Sequence, residues 1–155
     1  MKIDTLFTPK NARSRNLESY ADGDTPFVSN SNLNNGIVKY VEADDEKEVV
    51  SATPCLAVNG FGFATIQTKP FIGAGNGGVH VISLLPKKKM GIIELAFYAS
   101  QINHSSWRFS YGRRAILRRL LQVELTEFNL TDREVIDFEK IFIERTQNSI
   151  KDVLG

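Results

Sequence analysis

The segment Cys55-Leu56-Ala57-Val58-Asn59-Gly60-Phe61-Gly62-Phe63-Ala64-Thr65-Ile66-Gln67 decides the fold. Its two apolar halves, 55–59 and 63–67, are typical of strands. The intervening Gly60-Phe61-Gly62 is typical of a tight turn, because glycine adopts backbone conformations that other residues avoid. The segment therefore predicts a β-hairpin.

Further strands are predicted on both sides of this hairpin. The apolar runs 37–41 and 79–85 indicate strands, and Pro86 would end the second. The short apolar run 27–29 leads into Asn30-Ser31-Asn32-Leu33-Asn34-Asn35-Gly36, whose asparagines and glycine favour a turn. We predict loops at residues 8–26, in the acidic stretch 42–48 and in the glycine-rich stretch 73–78.

Helices are predicted after the strands. Apolar residues recur at helical spacing in 91–103, and a second helix is predicted over 113–122. Thr131-x-x-Glu134 has the spacing of a capping box and would begin an amphipathic C-terminal helix over about 131–153. This order of elements predicts an α+β fold.

The composition is that of one globular domain spanning 1–155. Of the 155 residues, 42% are hydrophobic and 24% charged, and a chain of this length can bury a core without a metal or disulfide. Cys55 is the single cysteine, so no internal disulfide can form. No apolar run reaches the ~20 residues of a membrane span, and no signal peptide is evident. We therefore expect a cytoplasmic protein without membrane contact.

Charge is distributed unevenly along a chain of net charge +1. The stretch 107–119 contains no acidic residue and five arginines, namely Arg108, Arg113, Arg114, Arg118 and Arg119. A local basic stripe can attract phosphate even on a neutral protein. The alternative is a solvated helix face.

No motif for catalysis is present. Gly73-x-Gly75-x-x-Gly78 is followed by a predicted strand, whereas a dinucleotide site requires a helix there. Cys55, His80 and His104 are too far apart in sequence to form a zinc motif. We predict no enzymatic activity, no cofactor and no metal.

Three segments carry a resemblance to a known family. They are 25–38, beginning Thr25-Pro26-Phe27-Val28-Ser29-Asn30; 55–62 with the following Lys69-Pro70-Phe71; and Trp107-Arg108-Phe109-Ser110-Tyr111-Gly112-Arg113-Arg114-Ala115. Together they resemble the target-recognition domain of Type I restriction-modification specificity subunits and of related Type II systems. The resemblance covers a core of about 20–125.

The resemblance implies a curled, mostly antiparallel sheet with flanking helices. It also implies sequence-specific binding of double-stranded DNA in a restriction-modification system. A separate methyltransferase subunit would methylate adenine, and a motor subunit, where present, would cut. A full specificity subunit has two recognition domains, so a half-subunit, a solitary domain and a repurposed DNA-binding protein all stay open. The expected partners are DNA, a methyltransferase subunit and, through the C-terminal helix, a second copy.

The candidate DNA contacts combine amide, hydroxyl and basic side chains. Asparagine can pair bidentately with adenine, and arginine can bind guanine or phosphate. The alternative for the asparagines is that they only build the turn. Trp107, Phe109 and Tyr111 alternate with Arg108, which predicts aromatics in the core and Arg108 outside. The predicted DNA-binding residues are Ser29, Asn30, Asn32, Asn34, Asn35, Asn59, Lys69, Arg108, Tyr111, Arg113, Arg114 and Arg118.

Two other functions remain as alternatives. The first is a non-catalytic protein-interaction or regulatory module of a restriction or defence complex, which would use the apolar stripe of the C-terminal helix. The second is a nuclease or methyltransferase in its own right, which the missing motifs disfavour.

Overall fold

Among the residues that the structure describes, two four-stranded β-sheets and one long helix form most of the fold. The computed structural model describes residues 1–76, 80–110 and 112–129, together with the single positions Lys140 and Glu144. In chain order the strands are β1 (Phe7–Asn11), β2 (Asp22–Val28), β3 (Ile37–Val41), β4 (Val49–Val50), β5 (Cys55–Val58), β6 (Ala64–Gln67), β7 (Phe71–Gly73) and β8 (Ile82–Pro86). The α-helices are α1 (Ile3–Leu6), α2 (Ile92–His104) and α3 (Leu117–Leu120). Short 3-10 turns lie at Leu17–Ser19, Asn34–Gly36, Glu46–Glu48 and Ser106–Arg108.

The first sheet has the strand order β1-β8-β5-β6, and its neighbours are all antiparallel. The predicted hairpin is confirmed as β5 and β6, with Leu56 opposite Ile66. The second sheet has the order β3-β2-β7-β4 and is mixed, because β2 and β7 run parallel. The α+β class is thus confirmed. The predicted single curled sheet is replaced by two sheets among the described residues.

The central strand β5 is buried on both faces. Leu56 and Val58 face the cluster formed with α2, where Leu95, Tyr98 and Ile102 are buried. Cys55 and Ala57 belong to the second cluster, which includes Phe27, Val28, Phe71 and Ile72 of the second sheet. A strand covered on both faces reads as a continuous apolar run, which explains the sequence of β5.

Strand β1 contradicts the predicted loop at 8–26. Its sequence, Phe7-Thr8-Pro9-Lys10-Asn11, contains a proline and alternates a few apolar with polar residues. β1 lies at the edge of its sheet, where a strand tolerates proline because only one side of the strand is paired. The loop prediction was also wrong for 22–26, which belong to β2.

Helix α2 confirms the helix predicted over 91–103, whereas the helix predicted over 113–122 is reduced to the four residues of α3. Ala115 donates its backbone N–H to the carbonyl oxygen of Gly60 at 2.7 Å, and Ile116 is extended (φ −76°, ψ 159°). This attachment to the hairpin delays the helix. The predicted C-terminal helix over 131–153 lies outside the described residues. In the part of the chain that is described, no helix is long and apolar enough to cross a membrane.

Candidate nucleic-acid interface

Three loops that are distant in sequence meet at one end of the hairpin. We name them together the three-loop surface: residues 29–36 between β2 and β3, the turn 59–63, and residues 106–110 and 112–116 after α2. The backbone N–H of Gly60 donates to Asn30 Oδ1 at 2.9 Å, and Asn59 Nδ2 donates to Asn32 Oδ1 at 3.3 Å. Ala115 joins the third loop to Gly60. The three segments that carry the family resemblance are therefore contiguous in space.

Asn59 holds the turn of the hairpin. Its side chain is 4% exposed, and its Oδ1 accepts from the backbone N–H groups of Phe61 at 3.0 Å and Phe63 at 3.1 Å. Asparagine commonly bonds in this way to the backbone two residues ahead. Asn59, one of the predicted DNA contacts, therefore uses its amide to hold neighbouring loops.

The asparagine-rich loop combines turn formation with exposure. Asn34, Asn35 and Gly36 all have positive φ, at 49°, 56° and 77°. Asn34 Nδ2 donates to the carbonyl of Ile37 at 3.2 Å, and Asn35 Nδ2 donates to the carbonyl of Ile66 at 2.7 Å. Both side chains remain exposed, so they shape the loop and still face solvent.

Asn32 is the exposed asparagine of this loop whose Nδ2 group makes no hydrogen bond among the described residues. Its side chain is exposed, and among the described residues its amide is engaged only through Oδ1. Asn30 is half-buried and uses its Oδ1 on Gly60. Ser29 is also half-buried, and its backbone N–H donates to the carbonyl of Gly36.

Gly62 and Phe109 lock the third loop onto the hairpin turn. Gly62 has φ +75°, and a Cβ placed there would lie 2.1 Å from Cδ2 of Phe109. Phe109 is buried, as predicted for an aromatic of this segment. A side chain at position 62 would therefore both strain the backbone and displace the ring.

The arginines of the third loop differ in their surroundings. Arg108, Arg113 and Arg118 are exposed, and no carboxylate of the described residues pairs with them. Arg114 is half-buried, and its Cδ would lie 3.8 Å from a Cβ at Gly60. Arg119 donates from Nη1 to the carbonyl of Arg114 at 3.0 Å, so its guanidinium stabilises the loop.

Trp107 contradicts the expectation of a core residue. It is 78% exposed, and the guanidinium carbon of Arg108 lies 5.5 Å from its ring centroid. Trp107 lies within the 3-10 turn Ser106–Arg108, where side chains do not alternate between two faces as they do in a strand. Exposed Trp107 and Leu33, each at 78%, were missed from the sequence, because an apolar side chain carries no signal of exposure.

Three predicted DNA-binding residues remain, namely Lys69, Tyr111 and Arg118. Lys69 is exposed in the short connection between β6 and β7. Tyr111 lies outside the described residues. Arg118 is on α3 and lines a cavity of about 250 Å³ together with Arg114 and Gly60. The structure thus brings the asparagine loop and the arginine segment together, whereas Lys69 lies outside the loops that are joined by hydrogen bonds.

The chemical groups outside this surface have structural explanations. Burial raises the pKa of the Cys55 thiol to about 12, which keeps it protonated and unreactive. Gly73 and Gly75 pack against Ala12, where added Cβ atoms would approach to 2.8 Å and 2.3 Å. Close packing therefore accounts for these two glycines of the Gly73-x-Gly75-x-x-Gly78 pattern. Within the described residues no group of His, Cys, Asp and Glu could hold a metal ion.

Comparison with known proteins relates the fold to one solved structure. No protein-family profile and no curated protein sequence matches the chain. The fold is similar to the crystal structure of the Type-I restriction-modification system S subunit from M. genitalium, with a TM-score of 0.54 and 13% sequence identity. The match covers 78% of this chain and 32% of that subunit, so the chain spans about a third of its length. At this identity the similarity is one of fold.

Proposed function

We propose that the chain is a DNA target-recognition module of a restriction-modification system and has no catalytic activity of its own. The observation that carries the proposal is the three-loop surface, where the exposed amide of Asn32 and the exposed guanidinium groups of Arg108 and Arg113, which have no acidic partner among the described residues, lie on loops joined by hydrogen bonds. The similarity of fold to an S subunit supports the same function.

The chemistry of the surface suits the reading of base edges. The exposed amide of Asn32 can pair with the donor and acceptor of adenine, and Arg113 can bind guanine or a phosphate. Asn30, Asn59 and Gly62 hold the loops, which reduces the entropy lost on binding. Arg108 and Arg118 would add contacts to phosphate.

The proposal extends to the partners of such a module. The chain would bind double-stranded DNA sequence-specifically, and a separate methyltransferase or endonuclease subunit would perform the chemistry. Docking of a methyltransferase and self-association through the C-terminal helix belong to this proposal.

A protein-interaction or regulatory module is the second candidate, and the exposure of Leu33 and Trp107 favours it. Large apolar side chains that are 78% exposed are typical of contact residues, and both belong to the three-loop surface. The two candidates differ in their response to Arg113→Gln, which would relax DNA selection at one position of the motif but leave an apolar protein contact largely intact.

Selection from a randomised duplex library tests the proposal. The purified chain is compared with Asn32→Ala and Arg113→Gln, and Lys88→Gln is the control, since Lys88 lines a separate cavity with Glu94 and Glu127. Wild type and control are expected to enrich one common motif. Each site variant is expected to lose about 1–3 kcal/mol at one position of that motif and accept other bases there. Absence of any enriched motif at low salt would overturn the proposal.

A further inference from the structure

A second basic surface begins where the three-loop surface ends. The cavity of about 250 Å³ beside Gly60 meets a larger one of about 1020 Å³, and the two share Asn11, His80 and Leu117. We name the combined depression the basic groove. Its cationic and imidazole side chains are Lys10, Arg13, Lys47, His80, Arg114 and Arg118.

The groove concentrates positive charge on a chain whose net charge is only +1. Among the described residues, no acidic side chain lines either cavity. Two acids of the segment that precedes β4, Asp44 and Glu48, are bound by Arg15 instead. The side chains that line the groove therefore carry a net positive charge, which can attract anions even on a chain that is nearly neutral.

The walls of the groove are fixed by backbone contacts. Ala12 donates its N–H to the carbonyl of Val81 at 2.8 Å, and Ser14 Oγ accepts from the N–H of Gly75 at 2.9 Å. The close approach of Gly75 to the carbonyl of Ala12 leaves no room for a side chain. The basic side chains therefore extend from a rigid frame, which favours a ligand of defined shape.

We infer that the basic groove binds the sugar-phosphate backbone of duplex DNA next to the bases read by the three-loop surface. Arg114 and Gly60 belong to both surfaces, so one duplex can contact them together. Cations spread along an open groove fit a chain of phosphates better than one small anion. The inference rests on the proposed function for the identity of the ligand.

The salt dependence of binding tests this inference. Lys10 and Arg13 are exposed, and within the described residues their side chains have no hydrogen bond or ion pair, so Lys10→Gln with Arg13→Gln should leave the fold intact. Each phosphate contact contributes about −0.9 to the slope of log K against log salt. The double variant should therefore reduce the steepness of that slope by about 1.8 for two lost contacts.

The matched control is Lys88→Gln with Lys89→Gln, which removes the same charge from a cavity that contains Glu94 and Glu127. Binding is measured by fluorescence anisotropy with the library-selected duplex and with a random 30-base-pair duplex, a length chosen to be about three helical turns. The groove variant should weaken both duplexes equally and select the wild-type motif, whereas the control keeps the wild-type slope.

The outcomes separate the two proposals. An unchanged slope in the groove variant, while wild type still selects a motif, would overturn the groove and leave the proposed function standing. If wild type selects no motif but the groove variant lowers the slope on random duplex, the groove is a non-specific phosphate site and the proposed function fails. An equal loss of slope in the control would show that only net charge matters, which also overturns the groove.

Discussion

Replacement of Asn59 by alanine should destabilise the protein through the turn of the hairpin. The change removes the acceptor of the backbone N–H groups of Phe61 and Phe63. An unsatisfied buried donor costs about 1–3 kcal/mol. Because Phe61 and Phe63 are half-buried, water can reach part of the opened turn, which favours the lower half of the range. We expect a loss of about 2–4 kcal/mol from the free energy of unfolding for the two groups.

Urea unfolding followed by far-UV circular dichroism measures this loss. With a slope of about 1–2 kcal/mol per molar urea, the midpoint should fall by roughly 1–4 M. Asn32→Ala is the control, because it removes the contact between the loops at 3.3 Å but leaves both turn bonds in place. That part-buried contact is worth about 0.5–1.5 kcal/mol. Equal losses in the two variants would refute the assignment of Asn59 as the residue that holds the turn.

Two further predictions concern the packing around the hairpin. Gly62→Ala should lower the free energy of unfolding by about 1–2 kcal/mol because of its positive φ, and by more because the ring of Phe109 is displaced. Gly112→Ala is the control, since a Cβ there meets no atom within 4 Å. It should change the free energy of unfolding by no more than about 0.5 kcal/mol in the same urea titration. Similar losses in both glycine variants would contradict this packing. Burial raises the pKa of the Cys55 thiol to about 12, so iodoacetamide at pH 8 should modify the unfolded chain readily and the native chain slowly. Mass spectrometry of the two samples measures both rates. Equal rates would show that Cys55 is accessible in the native chain.

The hairpin was predictable because its signals are local. An apolar run, a glycine-containing turn and a second apolar run determine β5 and β6 without reference to the rest of the chain. Helix α2 was predictable for a similar reason, since its apolar residues recur at the spacing of one helical face. In both elements the periodicity and the tertiary environment favour the same structure.

Strand β1 and helix α3 depend on distant partners, so their sequences were insufficient. Polar residues and Pro9 favour a loop locally, but pairing with β8 makes residues 7–11 an edge strand. Residues 113–116 are helical by composition, but the bond from Ala115 to Gly60 holds this segment against the hairpin and outside the helix. In each case a contact with a distant part of the chain overrides local propensity.

In the candidate site too, some features were predictable from the local sequence and others depend on contacts between distant segments. The asparagine loop and the arginine segment were identifiable from residue type, and the structure places them together. The distinction between Asn59, which is buried, and Asn32, which is exposed, follows only from the packing of the loops. Lys10, Arg13 and Lys47 could not be grouped with Arg114 from sequence, because strands of both sheets separate them.

On the three-loop surface, the residues that hold the loops together differ from the residues proposed to contact bases. Asn59, Asn30 and Gly62 hold the loops through buried or backbone contacts. Asn32 and Arg113 face solvent, and within the described residues the side chain of Asn32 joins that scaffold through one hydrogen bond from Asn59. Substitution of Arg113 should change stability by no more than about 0.5 kcal/mol, and substitution of Asn32 by about 0.5–1.5 kcal/mol. The base preference of such a surface can therefore be altered at positions 32 and 113 while the fold that presents them is retained.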